Sequence, residues 1–265
     1  MIRIYRHSEV SPQYTTDLHA HQEYELYFLL SGQRRYFIHH SIYDLSPGNL
    51  VIIPKGVLHK TVSQSNQGYD RFVLFFTDED LYAFSHTLGT AAREALLQVN
   101  CVQFPADTAE TVTQQLKQMQ REFSAKPAMY SAFLSAQLQL ILLTVLRCST
   151  PQPVCTESTA EKIQTVARYM SQNYRFPITL HDAAQMACLE DSYFSRQFKS
   201  MTGFGFLDYL TRIRIQEAQQ LLRTTALPLE DISDLCGFSS RNYFGDVFKR
   251  YIGLSPTAYR KTNKT

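Results

Sequence analysis

Ser192, Ser195, Arg196 and Lys199 follow the i, i+3, i+4, i+7 spacing that lines up side chains on one face of a helix. Two hydroxyls, a guanidinium and an ammonium on one strip suit insertion into a DNA groove. The guanidinium can fork onto guanine O6 and N7, hydroxyls take base edges or phosphate, and the ammonium best serves phosphate. A second strip, Arg241, Asn242, Gly245, Asp246 and Lys249, offers related chemistry further on. There Asn242 can address adenine and Asp246 can accept from a cytosine amine. Either strip alone also fits an ordinary solvated helix face. Repetition separates the two readings.

Tyr193, Phe194, Phe198, Lys199, Gly203 and Tyr209 return at a constant offset as Tyr243, Phe244, Phe248, Lys249, Gly253 and Tyr259. A fixed offset means one supersecondary unit used twice. Each copy has a short apolar helix, a polar turn, then a second helix that holds Phe-Lys and ends at Gly. That is the shape of a helix-turn-helix. The pattern predicts helices over 161–173, 180–188, 191–201, 206–222, 229–236 and 240–251. A terminal helix follows, with Ser255 as N-cap and Pro256 at its first position.

Bulk properties set limits. At 265 residues the chain is long enough for two domains, each with its own core. Lys+Arg number 12 against 13 Asp+Glu over residues 1–150, and 14 against 11 over 151–265. The basic excess of the second part agrees weakly with a phosphate partner. Five cysteines without a C-x-x-C pair make neither a disulfide framework nor a zinc ribbon. They read as buried, reduced thiols of a cytoplasmic protein. The start of the chain has no apolar stretch of the signal-peptide kind, and the most apolar run, 138–146, is too short to cross a bilayer, so no membrane partner is expected.

Ahead of the repeat, apolar runs at 24–30, 36–38, 50–53, 58–62 and 72–76 are punctuated by Ser31-Gly32, Ser46-Pro47-Gly48, Pro54-Lys55-Gly56 and Asn66-Gln67-Gly68. Short strands at such spacing suggest a small barrel or jelly roll. Helices are expected over 107–124 and 129–148, broken at Pro127. In the second, Phe133, Leu134, Leu138, Ile141, Leu142 and Val145 form an apolar stripe, either for the protein's own core or for a second copy. Residues 149–158, with Pro151 and Pro153, read as a linker.

The stretch from Leu229 to Arg260, with Ile232, Cys236-Gly237-Phe238, Tyr243-Phe244, Phe248-Lys249, Gly253, Ser255-Pro256 and Tyr259, resembles the AraC/XylS signature. So does Tyr209-Leu210 with Arg214-Ile215, Ala218 and Leu221-Leu222. The resemblance covers about residues 160–261. It implies a transcription regulator whose two helix-turn-helix units, bridged by one long helix, read successive major grooves. Gly245 and Asp246 replace the longer polar or basic side chains common at those positions. That makes Arg196 the expected main carrier of specificity.

A second resemblance lies in front. His19-x-His21-x-x-x-Glu25, with Gly32, is similar to the first cupin motif, and Gly48, Pro54, Gly56 and His59 to the second, with Ser63 at the usual Asn. In metal-binding cupins the positions matching His19, His21, Glu25 and His59 hold one divalent ion. His19, His21 and Glu25 share one strand parity, and three imidazoles with a carboxylate suit Mn, Fe, Ni or Zn. The other reading is an organic effector, a sugar among the candidates, held by His19, His21, Glu25, Tyr27, Arg34, Tyr36 and His59.

Together these features lead us to expect an α+β chain: a cupin-like effector-binding β-barrel over 1–106, a helical hairpin over 107–148 as a dimerisation element, the linker, and an all-α tandem helix-turn-helix domain over 159–265. The expected partners are double-stranded DNA, a small-molecule effector, a second copy of the chain and RNA polymerase. A metal-dependent cupin enzyme with a helical accessory domain is the alternative. No nucleophile-base arrangement or phosphate-cradling Gly loop is evident, so no catalytic residues are assigned.

Overall fold

Strand alternation builds the front part. The computed structural model describes residues 1–9, 22–63, 68–148 and 158–263. One antiparallel sheet runs in the order β1 (Arg3–Glu9), β7 (Tyr69–Phe76), β2 (Tyr24–Ser31), β5 (Asn49–Ile53), β8 (Cys101–Gln103). A second has β4 (Ser41–Leu45), β3 (Arg34–Ile38) and β6 (His59–Ser63). In β2, Tyr24, Leu26 and Phe28 enter a core shared with helices, while Tyr27 and Leu29 face the other sheet. β5 divides in the same way, with Leu50 and Ile52 on the helical side and Val51 and Ile53 inside. Both faces are covered. That is why these strands read as unbroken apolar runs despite their period of two.

The helical layer holds α1 (Asp78–Leu88), α2 (Thr90–Gln98), α3 (Ala106–Ala125) and α4 (Tyr130–Arg147). Most of the α4 stripe is spent at home: Leu134, Leu138, Ile141, Leu142 and Val145 are buried in the core under the larger sheet, while Phe133 is half-buried. By composition α4 is long and apolar enough to span a bilayer, but its apolar face is this core. The five strands expected from the apolar runs all form. The strands β1, β4 and β8 and the helices α1 and α2 are additional. β1 escaped notice because it is an edge strand rich in polar residues, tied to β7 by Arg6 against Asp70. β8 is only three residues long.

The chain divides into two units, Met1–Thr156 and Glu157–Thr265. The second is helical: α5 (Ser158–Asn173), α6 (Leu180–Met186), α7 (Asp191–Thr202), α8 (Phe206–Thr224), α9 (Leu229–Leu235), α10 (Arg241–Ile252) and α11 (Pro256–Asn263). The repeat in sequence becomes a repeat in packing. Phe194 and Phe198 meet at 5.5 Å and Phe198 meets Tyr209 at 5.6 Å, while Phe244–Phe248 and Phe248–Tyr259 are 5.6 and 5.4 Å apart. Helix α8 serves both copies. Phe206 and Tyr209 complete the first aromatic cluster, and Ile215, Ala218 and Leu222 enter the second.

Not every cysteine is buried as expected. Cys101 and Cys236 are, and burial pushes both thiols up to about 12, which keeps them inert. Cys148 is half-buried, and Cys188 is exposed because it sits in the surface turn between α6 and α7 with φ of 52°. Cys155 lies outside the described residues.

Candidate nucleic-acid interface and ligand site

Each candidate reading helix, α7 and α10, begins with a side-chain cap. At α7, Glu190 accepts from the backbone N–H of Ser192 and Tyr193, both at 3.3 Å, and from the Ser192 hydroxyl at 2.7 Å. These bonds, the hydroxyl's foremost, hold the Glu190 carboxyl below its usual range. Ser192 is therefore engaged at its own helix start, while Arg196 and Lys199 are exposed and Ser195 is half-buried. At α10, Ser240 accepts from the Tyr243 N–H at 3.3 Å, and Arg241, Asn242, Asp246 and Lys249 are all exposed. No acidic residue occupies the first turn of α10, whereas α7 starts on Glu190 and Asp191. Anions at a helix start compete with phosphate for the same N–H groups, so the two heads differ in electrostatics where they would meet DNA.

Beside α10 lies a depression lined by Arg241, Asn242, Gly245, Asp246, Pro256 and Thr257. A Cβ on Gly245 would meet no atom within 4 Å, so the surface there is open.

The two heads are locked together through the turn before α6. Arg214 of α8 donates from Nε to the Tyr174 carbonyl at 2.8 Å and from a terminal nitrogen to the Phe176 carbonyl at 3.1 Å. From the other head, Gly237 packs against the same turn with φ of 76°. A Cβ on Gly237 would stand 2.6 Å from the Arg175 carbonyl oxygen and 2.8 Å from that of Tyr174. Only glycine combines that left-handed backbone with so close an approach.

In the front unit, strand parity turns a polar set into the space between the sheets. Glu25, Tyr27, Arg34, Tyr36 and His59 are all buried there. Tyr36 donates to Glu25 at 3.2 Å and packs edge-on against Tyr27 at 5.1 Å. Burial, then the Glu25 charge, drives the Tyr36 phenol well above its usual pKa, so it remains a donor. His59 holds Val57 O through Nδ1 at 2.8 Å and brings Nε2 within 3.4 Å of Glu25. Arg34 donates to Thr61 at 2.8 Å, and its guanidinium lies 4.1 Å from the centre of the Tyr69 ring.

Sequence reasoning passed over Arg71, Thr61 and Tyr69, which belong to this set. Arg71 lies opposite Leu29 of β2, with its guanidinium 5.2 Å from the Tyr27 ring and 5.3 Å from that of Tyr69. The available signal was parity: Tyr69, Arg71 and Val73 alternate inward along a strand judged only by its apolar run. His19 and His21 fall outside the described residues. Glu25 and His59, the described half of the four-ligand set, form a pair, and among the described residues no three His, Cys, Asp or Glu are grouped to hold a metal ion. Two donors do not by themselves make a metal centre.

Comparison with known proteins bears on both regions. A model described as an AraC-like ligand binding domain matches residues 2–142, and one described as a helix-turn-helix domain matches residues 183–262. An AraC-like transcription regulator of Streptomyces lividans is 32% identical over 211 residues, 76% of this chain and 66% of that protein. The HTH-type transcriptional activator RhaR of Mannheimia succiniciproducens is 25% identical over 246 residues, covering 92% and 86% of the two chains. Among solved structures, the C-terminal domain of AraT, a response regulator from Geobacillus stearothermophilus, is 29% identical over 41% of this chain and 91% of that one, with a TM-score of 0.40.

Proposed function

This chain belongs to the AraC family of transcription regulators, with a ligand-binding domain ahead of a helix-turn-helix domain, and we propose that its α7 and α10 enter successive major grooves while the barrel senses a small molecule. The observation that carries the reading is the pair of exposed strips on helices of matching cores, held in one arrangement by α8 and Arg214. Arg196 is the main reader of the first head, and Arg241 and Asn242 of the second, with Lys199 and Lys249 on phosphate. Asp246 faces a cytosine amine. Ser192 supports the start of α7 more than it reads bases.

The effector acts by binding one arrangement of the DNA-binding unit more tightly than another, through residues 149–158 or through a dimer. The dimer would use the outer surface of α3 and α4, where Met129 and Leu140 are exposed, because the inner stripe of α4 is occupied. The output is activation, with RNA polymerase as the further partner and the cytoplasm as the place of action. The chain works by binding, without catalysis.

Footprinting of the purified protein on genomic fragments tests this. Protected sites with two elements one helical turn apart are expected. Binding that ignores sequence and vanishes with salt would overturn it.

A further inference from the structure

One residue that both copies of the repeat share has no task in the core. Among the shared residues, Phe194, Phe198 and Tyr209 are buried in the first copy, as are Phe244, Phe248 and Tyr259 in the second. Gly203 and Gly253 end their helices with φ of 78° and 81°. That leaves Lys199 with Lys249, and Tyr193 with Tyr243. All are exposed, the tyrosines at 38% and 53%. Tyr243 rests edge-on against Phe238 at 6.3 Å, a contact that the ring makes without its hydroxyl. Neither phenol hydroxyl is hydrogen-bonded to another described residue.

The positions that face bases behave differently. Ser192, Ser195 and Arg196 of α7 become Asn242, Gly245 and Asp246 in α10. Bases change from one groove to the next, whereas phosphates do not. A surface residue kept in both copies therefore suits the part of DNA that both grooves have in common.

Placement on the helix agrees. Tyr193 and Lys199 lie about 120° apart around α7, with Ser192 and Arg196 between them. Tyr243 and Lys249 bracket Asn242 and Asp246 in the same way. A helix seated in a major groove turns its two flanks to the two sugar-phosphate walls. Lysine serves one wall, and tyrosine stands on the flank toward the other. Two turns along the tyrosine flank a further exposed donor follows, Ser200 in α7 and Arg250 in α10.

We propose that Tyr193 and Tyr243 each donate a hydrogen bond to a DNA phosphate on the groove wall opposite Lys199 and Lys249. Held from both walls, each reading helix takes a fixed depth and register, and Arg196, Arg241 and Asn242 specify bases from there. The inference rests on the reading of α7 and α10 as DNA-reading helices.

The test uses the full chain and a duplex that the wild type enriches from a random-sequence pool. Tyr193→Phe and Tyr243→Phe keep the ring and remove only the hydroxyl. Each is expected to weaken binding by about five- to tenfold, with the unfolding temperature unchanged. Base preference, found by repeating the enrichment with each variant, stays that of the wild type. The slope of log affinity against log salt also stays, because a neutral phenol releases no counterion. Lys199→Ala and Lys249→Ala reduce that slope by about one each.

Replacing phosphates singly by uncharged methylphosphonate locates the contacts. For each tyrosine, one replacement that weakens the wild type should add little further loss to the phenylalanine variant. Unchanged affinity in either phenylalanine variant, an altered base preference, or additive losses at every phosphate would overturn the proposal. A drop in unfolding temperature would mark the tyrosines as packing residues and overturn it as well. Failure of the underlying reading looks different. If no duplex is enriched, or if Arg196→Ala and the lysine variants are silent too, the reading helices fall and the tyrosine contacts with them. If those variants weaken binding and the phenylalanine variants do not, the reading helices stand and only the tyrosine contacts fall.

Discussion

Replacing Gly237 by alanine probes how firmly the two reading heads are held. At φ of 76° an alanine occupies the left-handed region, which costs about 1–2 kcal/mol. Its Cβ would also stand 2.6 and 2.8 Å from the carbonyl oxygens of Arg175 and Tyr174, inside van der Waals contact. Those oxygens belong to backbone and cannot swing aside like a side chain. The turn must move as a piece, and in moving it strains the hydrogen bonds from Arg214 to Tyr174 and Phe176. A charge-assisted bond of that kind contributes about 1.5–3 kcal/mol, so the substitution should destabilise the C-terminal unit by about 2–5 kcal/mol in all.

Helical circular dichroism during urea unfolding measures the loss. DNA binding supplies the second reading. A fragment carrying both elements should lose affinity by about tenfold or more, since about 1.4 kcal/mol of misalignment suffices. A fragment carrying one element should lose little. Arg214→Met attacks the same lock without backbone strain and should reproduce the two-element defect. Unchanged stability together with unchanged two-element affinity in Gly237→Ala would refute a rigid coupling of the heads.

Arg196→Ala should cost about 1–3 kcal/mol at the cognate site and relax preference at one base pair; equal losses on cognate and random DNA would remove its reading role. Lys249→Ala should weaken all sequences alike and reduce the slope of log affinity against log salt by about one, as seen in a titration of salt concentration. Gly245→Ala, at a helical position with open space around it, should stabilise the chain by about 0.5–1 kcal/mol in urea unfolding, and a loss of stability would show that the space is not open. Phe198→Ala and Phe248→Ala empty equivalent buried sites and should each cost about 3–5 kcal/mol. Costs that differ widely would mean that the two copies are not packed alike.

The residues alone determined what depends on near neighbours along the chain. The aromatic offset announced two copies of one unit, Gly203 and Gly253 marked helix ends, and Ser255-Pro256 marked a helix start. These signals are local, because periodicity, caps and left-handed glycines act over one or two turns. The face of each reading helix was legible for the same reason. Strand parity pointed Glu25 inward, and the motif position of His59 marked it for the same space.

Only the tertiary structure decided what depends on elements far apart in sequence. Arg71 lay just outside the expected apolar run 72–76, and only the pairing of β7 with β2 set it beside Tyr27. The stripe of α4 fitted a core or a second copy equally well, and packing against α3 and the larger sheet assigned it to the core. Gly237 and Arg214 are motif positions whose reason appears only where the turn of one head meets the other. A sequence pattern shows which face is apolar or charged. What that face meets is set by the closure of the chain, and charge balance and close approach exist only after closure.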